Sequence, residues 1–345
     1  MNQRTRATEP DRGPGRHAWL PRAAGCGALL AVLVMASGCA RMPGWRGPGP
    51  FEHAAPSASA LDIEGERAMD GFIVQVVSFE SPMGGRVPAY LYRPAGPLVV
   101  AGSPALLMQH GMPGDAGSLD RLAAAYARAG VFVLSISAPF NRPGNLTDTE
   151  PGQLTAPHFD VHDSTLVVQL VHEQRRALDM LQALPEVDPE RMAFVGFSYG
   201  GWVGALLASV EPRLAAAVLM APTGGLASLL RSHWDDTGYL FVLAGRALDE
   251  HQRARWLEMM EPLEAERWLG RARRTSVLIQ AGLYDRAVLP PEAHRLYTEA
   301  AQPKKLLWYE AGHELERAAF LEQAAFLAGA VGIDLNRFRA PASLF

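Results

Sequence analysis

The chain has 345 residues, 48% of them hydrophobic and 20% charged, with a net charge of −4 at pH 7. This is a balanced globular composition, and the mild negative charge gives no reason to propose a nucleic-acid partner. With the N-terminus set aside, the remainder suits one large α/β domain able to bury a full core.

Residues 1–39 are of another kind. Arg4, Arg6, Arg12, Arg16 and Arg22 precede an apolar stretch from Ala23 to Ala36, followed by Ser37-Gly38-Cys39. A basic region, an apolar core too short to span a membrane comfortably and a small-residue exit describe a secretory signal. The cysteine after small residues resembles the lipobox of bacterial lipoproteins, with Ala36 where that motif prefers leucine. The resemblance implies lipidation at Cys39 and an exported, membrane-tethered protein; a periplasmic or secreted soluble protein and an uncleaved anchor are the alternatives. Cys26 would leave with the signal, so no internal disulfide pair remains. Residues 40–66 are rich in Pro, Gly, Ala and Ser and lack hydrophobic periodicity, which predicts a flexible tether. The folded domain is expected over 67–340.

Phe72–Glu80 and Val87–Tyr92, joined through Pro82-Met83-Gly84-Gly85, predict an antiparallel hairpin at a sheet edge. Ala105–Gln109 predicts a strand that runs into His110-Gly111-Met112-Pro113-Gly114. Gly111 permits a tight turn there, and Pro113 holds Met112 extended, so the Met112 amide can be aimed into a site. His110 reads as a hydrogen-bonding residue of this loop rather than a second base. Leu119, Leu122 and Tyr126 mark a helix that stops at Gly130, and Val131–Ile136 is a buried parallel strand. His158, Asp160, His162 and Asp163 in the following loop fit no fixed metal-site spacing, and loop structure and helix capping are expected of them instead. Asp163 or Ser164 then opens a long helix to about Leu184.

Met192–Phe197 predicts a strand, and Gly201–Val210 a buried helix. Between them stands Gly196-Phe197-Ser198-Tyr199-Gly200. Alone, this pentapeptide also describes a glycine-rich turn that contains a serine. With strand and helix on either side, it describes a strained turn that lifts the Ser198 hydroxyl above the sheet near a helix N-terminus. The Tyr199 amide, one residue on, would meet that of Met112 as a second oxyanion donor. After a strand at Ala215–Met220 comes an excursion, 223–274, carrying Trp234, Tyr239, Phe241, Trp256, Trp268 and Met259-Met260. It reads as a helical lid-like insertion, or as ordinary helical packing with the aromatics in the core.

A serine nucleophile needs a base and a carboxylate, in the chain order serine, acid, histidine. Of the four histidines after Ser198, only His313 follows a strand (Lys305–Glu310) and precedes a helix, expected from about Glu314. His294 falls inside a helix, and Arg317 stands where a zinc helix starting at His313 would need its second histidine. Thr275–Gln280 predicts a strand whose C-terminal loop carries Asp285, the favoured orienter of His313, although a turn or helix-start carboxylate is its other reading. Glu292 and Glu299 fall within the next helix and point elsewhere.

Taken together, Ala105–Gly114, Gly196–Gly201, Asp285 and Ala311–His313 resemble the α/β-hydrolase fold, a mostly parallel central sheet flanked by helices. More narrowly they resemble the branch containing dienelactone hydrolase-like enzymes and the catalytic domains of prolyl-oligopeptidase-like peptidases, of which the link Val187–Met192 is also typical. The resemblance covers roughly residues 70–335. It implies a triad of Ser198, Asp285 and His313, with the Met112 and Tyr199 amides as oxyanion donors. Dienelactone hydrolases proper carry a cysteine nucleophile; serine here implies ester hydrolysis instead, with no cofactor and a small-molecule ester as substrate. A peptidase of the prolyl-oligopeptidase kind is the alternative, although only about seventy residues precede the domain where those enzymes usually carry a propeller. A non-catalytic binding lipoprotein is a third reading, disfavoured because a binding scaffold needs no complete serine–acid–histidine order.

Overall fold

The hairpin forms where the turn residues place it. In the computed structural model, which describes residues 49–52, 60–96, 102–142, 159, 163–235 and 248–345, strand β2 (Phe72–Glu80) pairs antiparallel with β3 (Arg86–Pro94). They open a nine-stranded sheet that continues through β4 (Ser103–Gln109), β5 (Phe132–Ile136), β6 (Val187–Phe197), β7 (Leu214–Met220), β8 (Ser276–Gly282) and β9 (Lys304–Tyr309). With β1 (Asp62–Met69) at the edge, the spatial order is β1-β2-β3-β5-β4-β6-β7-β8-β9. The pairs from β5 to β9 are all parallel.

Alternation along the central strands divides the core in two, because successive side chains point to opposite faces. Leu107, Leu134, Phe194 and Leu219 face one apolar layer, which they share with α2 (Asp163–Gln182) and α3 (Tyr199–Val210). Leu106, Val133, Val195 and Val218 face the other, shared with α1 (Asp120–Arg128) and α7 (Arg317–Val331). Both faces being covered, these strands read as nearly continuous apolar runs. This is an α/β-hydrolase fold, a large, mostly parallel sheet flanked by helices. Its chain leaves β4 toward β5 on one side and β6 toward β7 on the other. Such a reversal opens a crevice at the carboxyl ends of β4 and β6.

Several boundaries differ from the sequence expectation. The stretch 40–66, read as a tether, ends in β1, which pairs with β2 across Asp62–Met69. All but one residue of β1 are exposed, so it has no apolar alternation to detect. Its side chains fasten it instead: Ser78 Oγ donates to Glu64 at 2.5 Å and Gln75 to Glu66 at 3.1 Å, and Arg86 pairs with Asp62. Phe51, in the same stretch, is buried edge-on against Trp268 at 5.0 Å, and its carbonyl accepts from Arg175 at 2.6 Å. At the other end the packed chain continues past 340, with Leu344 buried. Strand β6 starts at Val187, so the link into the nucleophile strand is itself strand. Helix α7 starts at Arg317, three residues after the expected Glu314.

Residues 1–39, with Cys39, lie outside the described residues. Among the described residues no helix is long and apolar enough to cross a membrane. The excursion 223–274 contains α4 (Leu226–Ser232) and α5 (Glu250–Met260), then three single turns of 3-10 helix. Trp256 and Trp268 are core residues and Trp234 packs against that core, while Tyr239 and Phe241 lie outside the described residues. Helix α6 (Pro290–Glu299) precedes β9.

Candidate active site

Ser198 caps α3 directly after β6 with φ 54° and ψ −115°. Such a conformation costs a serine about 1–3 kcal/mol and persists only where the surroundings enforce it. Here the Ser198 amide donates to the Met220 carbonyl at 2.8 Å, and its own carbonyl accepts from Trp202 at 3.0 Å. The helix must also start close to the end of β4. A Cβ at Gly200 would stand 2.7 Å from the His110 carbonyl oxygen, so only glycine lets the two backbones approach this way.

The loops after β8 and β9 are tied to each other. Leu283 donates its amide to the Tyr309 carbonyl at 2.9 Å and Tyr284 to that of Ala311 at 3.0 Å. Asp285, buried, accepts on Oδ1 from the Ala287 and Val288 amides, both at 2.8 Å. Its Oδ2 faces His313 Nδ1 at 2.7 Å, and His313 Nε2 faces Ser198 Oγ at 2.8 Å. With a proton on Nδ1 donated to the carboxylate, Nε2 is left free to accept from the hydroxyl. The ring lies against Phe197, 5.0 Å between centroids, which limits how far it can swing. The structure thus brings Ser198, His313 and Asp285 into one hydrogen-bonded line. It leaves the other downstream histidines elsewhere: His251 and His294 are exposed, and His233 lies 3.7 Å from Glu292. Glu292 itself is buried against Arg295 at 2.5 Å and does not reach His313.

The loop after β4 closes over the serine. A Cβ at Gly111 would lie 3.0 Å from Ser198 Cβ, which sets Met112 beside the nucleophile. Among the described residues neither the Met112 nor the Tyr199 amide is engaged by a carbonyl, while the Ser198 amide is spent on Met220. His110 is a structural hydrogen-bonder. Its Nδ1 donates to the Gly111 carbonyl at 2.7 Å and its Nε2 accepts from the Ala138 amide at 2.9 Å. That arrangement requires a neutral ring, and burial pulls its pKa down to about 4. Asn141 completes the tie by donating to the Gly114 carbonyl at 2.8 Å. No sequence signal marks Asn141, because its role depends on two loops meeting in space. Of the four loop residues His158, Asp160, His162 and Asp163, the first three lie outside the described residues, and Asp163 accepts from the Trp256 indole at 2.7 Å.

Glu264 was also not singled out by the sequence. It is buried and accepts from the Ala227 and Ser228 amides, both at 3.0 Å, at the start of α4. Burial, with the neighbouring Glu266 adding to it, pushes its pKa up to about 7. The folded state therefore holds a proton that the unfolded state has lost between pH 4.5 and 7. Stability from this group is full below about pH 4.5 and falls by about 3 kcal/mol as pH rises to 7. His110 runs the opposite way: its folded pKa lies below the unfolded value, so its contribution is lost as pH falls from about 6.5 toward 4. The two slopes offset each other between pH 4.5 and 6.5. Glu264→Gln removes one of them, so the melting temperature of the variant relative to the parent should rise steadily from pH 4.5 to 7. A pH-independent difference would show that Glu264 does not titrate there.

Comparison with known proteins bears on the family and the fold. The dienelactone hydrolase family model matches residues 87–237 and the prolyl oligopeptidase family model residues 164–316. NocK of Nocardia uniformis subsp. tsuyamanensis, which carries an esterase name, is 29% identical over 204 residues, 56% of this chain and 54% of that protein. The match thus spans about half of that relative. Among solved structures, the acetyl xylan esterase from Paenibacillus sp. R4 superposes with a TM-score of 0.63 at 19% identity, covering 80% of this chain and 90% of that one. A puromycin-hydrolyzing peptidase of Mycobacterium tuberculosis gives 0.55 at 20% identity, covering 78% and 47%. The chain is an α/β-hydrolase. Within that class it is similar to both the dienelactone hydrolase and the prolyl oligopeptidase families, each model matching less than half of the chain.

Proposed function

We propose that this protein is a serine hydrolase that cleaves carboxylic esters through an acyl-enzyme. The observation that carries the reading is the line from Ser198 Oγ to His313 Nε2 (2.8 Å) and from His313 Nδ1 to Asp285 (2.7 Å). His313 takes the proton as Ser198 Oγ attacks the acyl carbon. Asp285 holds the tautomer and stabilises the imidazolium that results. Charge building on the carbonyl oxygen meets the Met112 and Tyr199 amides, the latter at the positive end of α3. The proton then passes to the departing alcohol, and a water activated by the same imidazole releases the acid. The esterase name of NocK supports an ester substrate. The match to the prolyl oligopeptidase family keeps a peptidase as the second reading. Turnover of short p-nitrophenyl esters set against aminoacyl-amides separates the two. Silence on both, with no labelling of Ser198 by a fluorophosphonate, would defeat the hydrolase reading.

The same proposal places the enzyme at a membrane through a lipidated Cys39, on the strength of the basic region, apolar core and small residues before it. Cys39→Ser should abolish incorporation of labelled fatty acid and release the protein from the membrane fraction. One acyl chain binds only marginally, so stable attachment needs several on that terminus. Unchanged membrane association would point to an uncleaved Ala23–Ala36 anchor.

A further inference from the structure

Tyr199, the residue after Ser198, lines a small, mainly apolar cavity. Met112 and Tyr199, the two residues whose amides are offered to the oxyanion, line it together with Phe140, Trp202, Leu226 and Met260 among others. The space open to the centre of a water-sized group is only about 20 Å³. One such group needs roughly 10–15 Å³, so the cavity takes a methyl or a little more. Its walls are not free to retreat. The Tyr199 ring is held edge-on between Phe140 at 5.1 Å and Trp202 at 5.4 Å, and Trp202 and Met260 are fully buried. Two further lining residues are fixed by Trp256, which stacks on Phe159 at 4.6 Å and donates to Asp163 at 2.7 Å.

We propose that this cavity is the acyl pocket, that it restricts the enzyme to two- and three-carbon acyl groups, and that Met260 and Leu226 set the limit. The inference rests on the ester-hydrolase reading and deepens it, since the acyl carbon bonded to Ser198 must project its chain past Met112 and Tyr199. A longer chain would force the packed rings off their positions, and inserting extra methylenes into a filled space is costly. Met260 is the wall most easily cut back, being a flexible, unbranched side chain.

The test is kcat/KM for p-nitrophenyl acetate, propionate, butyrate and hexanoate, with fluorophosphonate labelling of Ser198 run alongside. Acetate and propionate should be the best substrates, with butyrate lower by about 10- to 100-fold and hexanoate near background. Met260→Ala should raise the butyrate-to-acetate ratio about tenfold. The ratio is taken within one preparation, so a partly folded variant does not mislead. Leu226→Ala serves the same purpose where Met260→Ala yields no protein. Wild-type enzyme that labels yet cleaves hexanoate as well as acetate would overturn the pocket and leave the hydrolase reading standing. Absence of both labelling and turnover would overturn the two together.

Discussion

Ser198→Ala should lower ester turnover by about 10⁴- to 10⁶-fold and leave the fold intact. The Ser198 side chain does little outside the site, its hydroxyl pairing among the described residues with His313. What holds the turn is backbone: the amide on Met220 and the carbonyl on Trp202, both of which alanine keeps. Alanine at φ 54° is as strained as serine, so the substitution neither relieves nor adds backbone cost. The melting temperature should therefore change little while activity collapses. His313→Ala should be about as damaging, and the double variant no worse than either, because the pair acts as one unit. Residual catalysis over water should survive from the oxyanion amides and substrate binding. Near-normal esterase activity in Ser198→Ala would remove the central claim.

The three hydrogen-bonded residues were legible in the sequence because each follows a strand that announces itself. Ser198, Asp285 and His313 come directly after apolar, β-branched or aromatic runs, and parallel sheets collect such loops at one edge. A place between a strand and a helix then selected His313 among four histidines without any contact being known. The loop around Met112 was legible for the same reason, as a glycine–proline turn after β4. What stayed hidden were features with no period and no motif. Strand β1 is polar and exposed at the sheet edge, so its pairing is recorded only in ladder hydrogen bonds and in partners such as Glu64 and Ser78. Phe51 reads as one aromatic in a proline-rich stretch until Trp268, more than two hundred residues away, is placed against it. Glu264 and Asn141 do their work across loops that the sequence cannot bring together. In the aromatic excursion, Trp256 proved to be core, yet Met260 on the same helix lines the cavity beside the nucleophile. Met260 is itself a core residue, so the described part of that segment packs as the second expectation has it.

Asp285→Asn should cost on the order of 10⁴ in turnover, and the surroundings of the carboxylate say why so small a change does so much. Oδ1 receives two backbone N–H groups, from Ala287 and Val288, and Oδ2 receives His313 Nδ1. An asparagine must turn its carbonyl oxygen toward the two amides, since its NH₂ group cannot accept from them. The NH₂ then faces Nδ1 and donates to it, so Nδ1 must accept and the ring proton moves to Nε2. A protonated Nε2 cannot take the proton of Ser198 Oγ, 2.8 Å away. The amide pair thus locks the variant into the wrong tautomer while the loop stays in place. Asp285→Ala differs: it leaves the Ala287 and Val288 amides unsatisfied and frees the ring, so some loss of stability should accompany the loss of rate. Glu292→Gln is the control. Glu292 is buried, with burial pushing its pKa up, but its partners are Arg295 and His233, and turnover should stay close to the parent. Full activity in Asp285→Asn, with a large loss in Glu292→Gln, would move the acid to α6 and break the line drawn from Ser198 to Asp285.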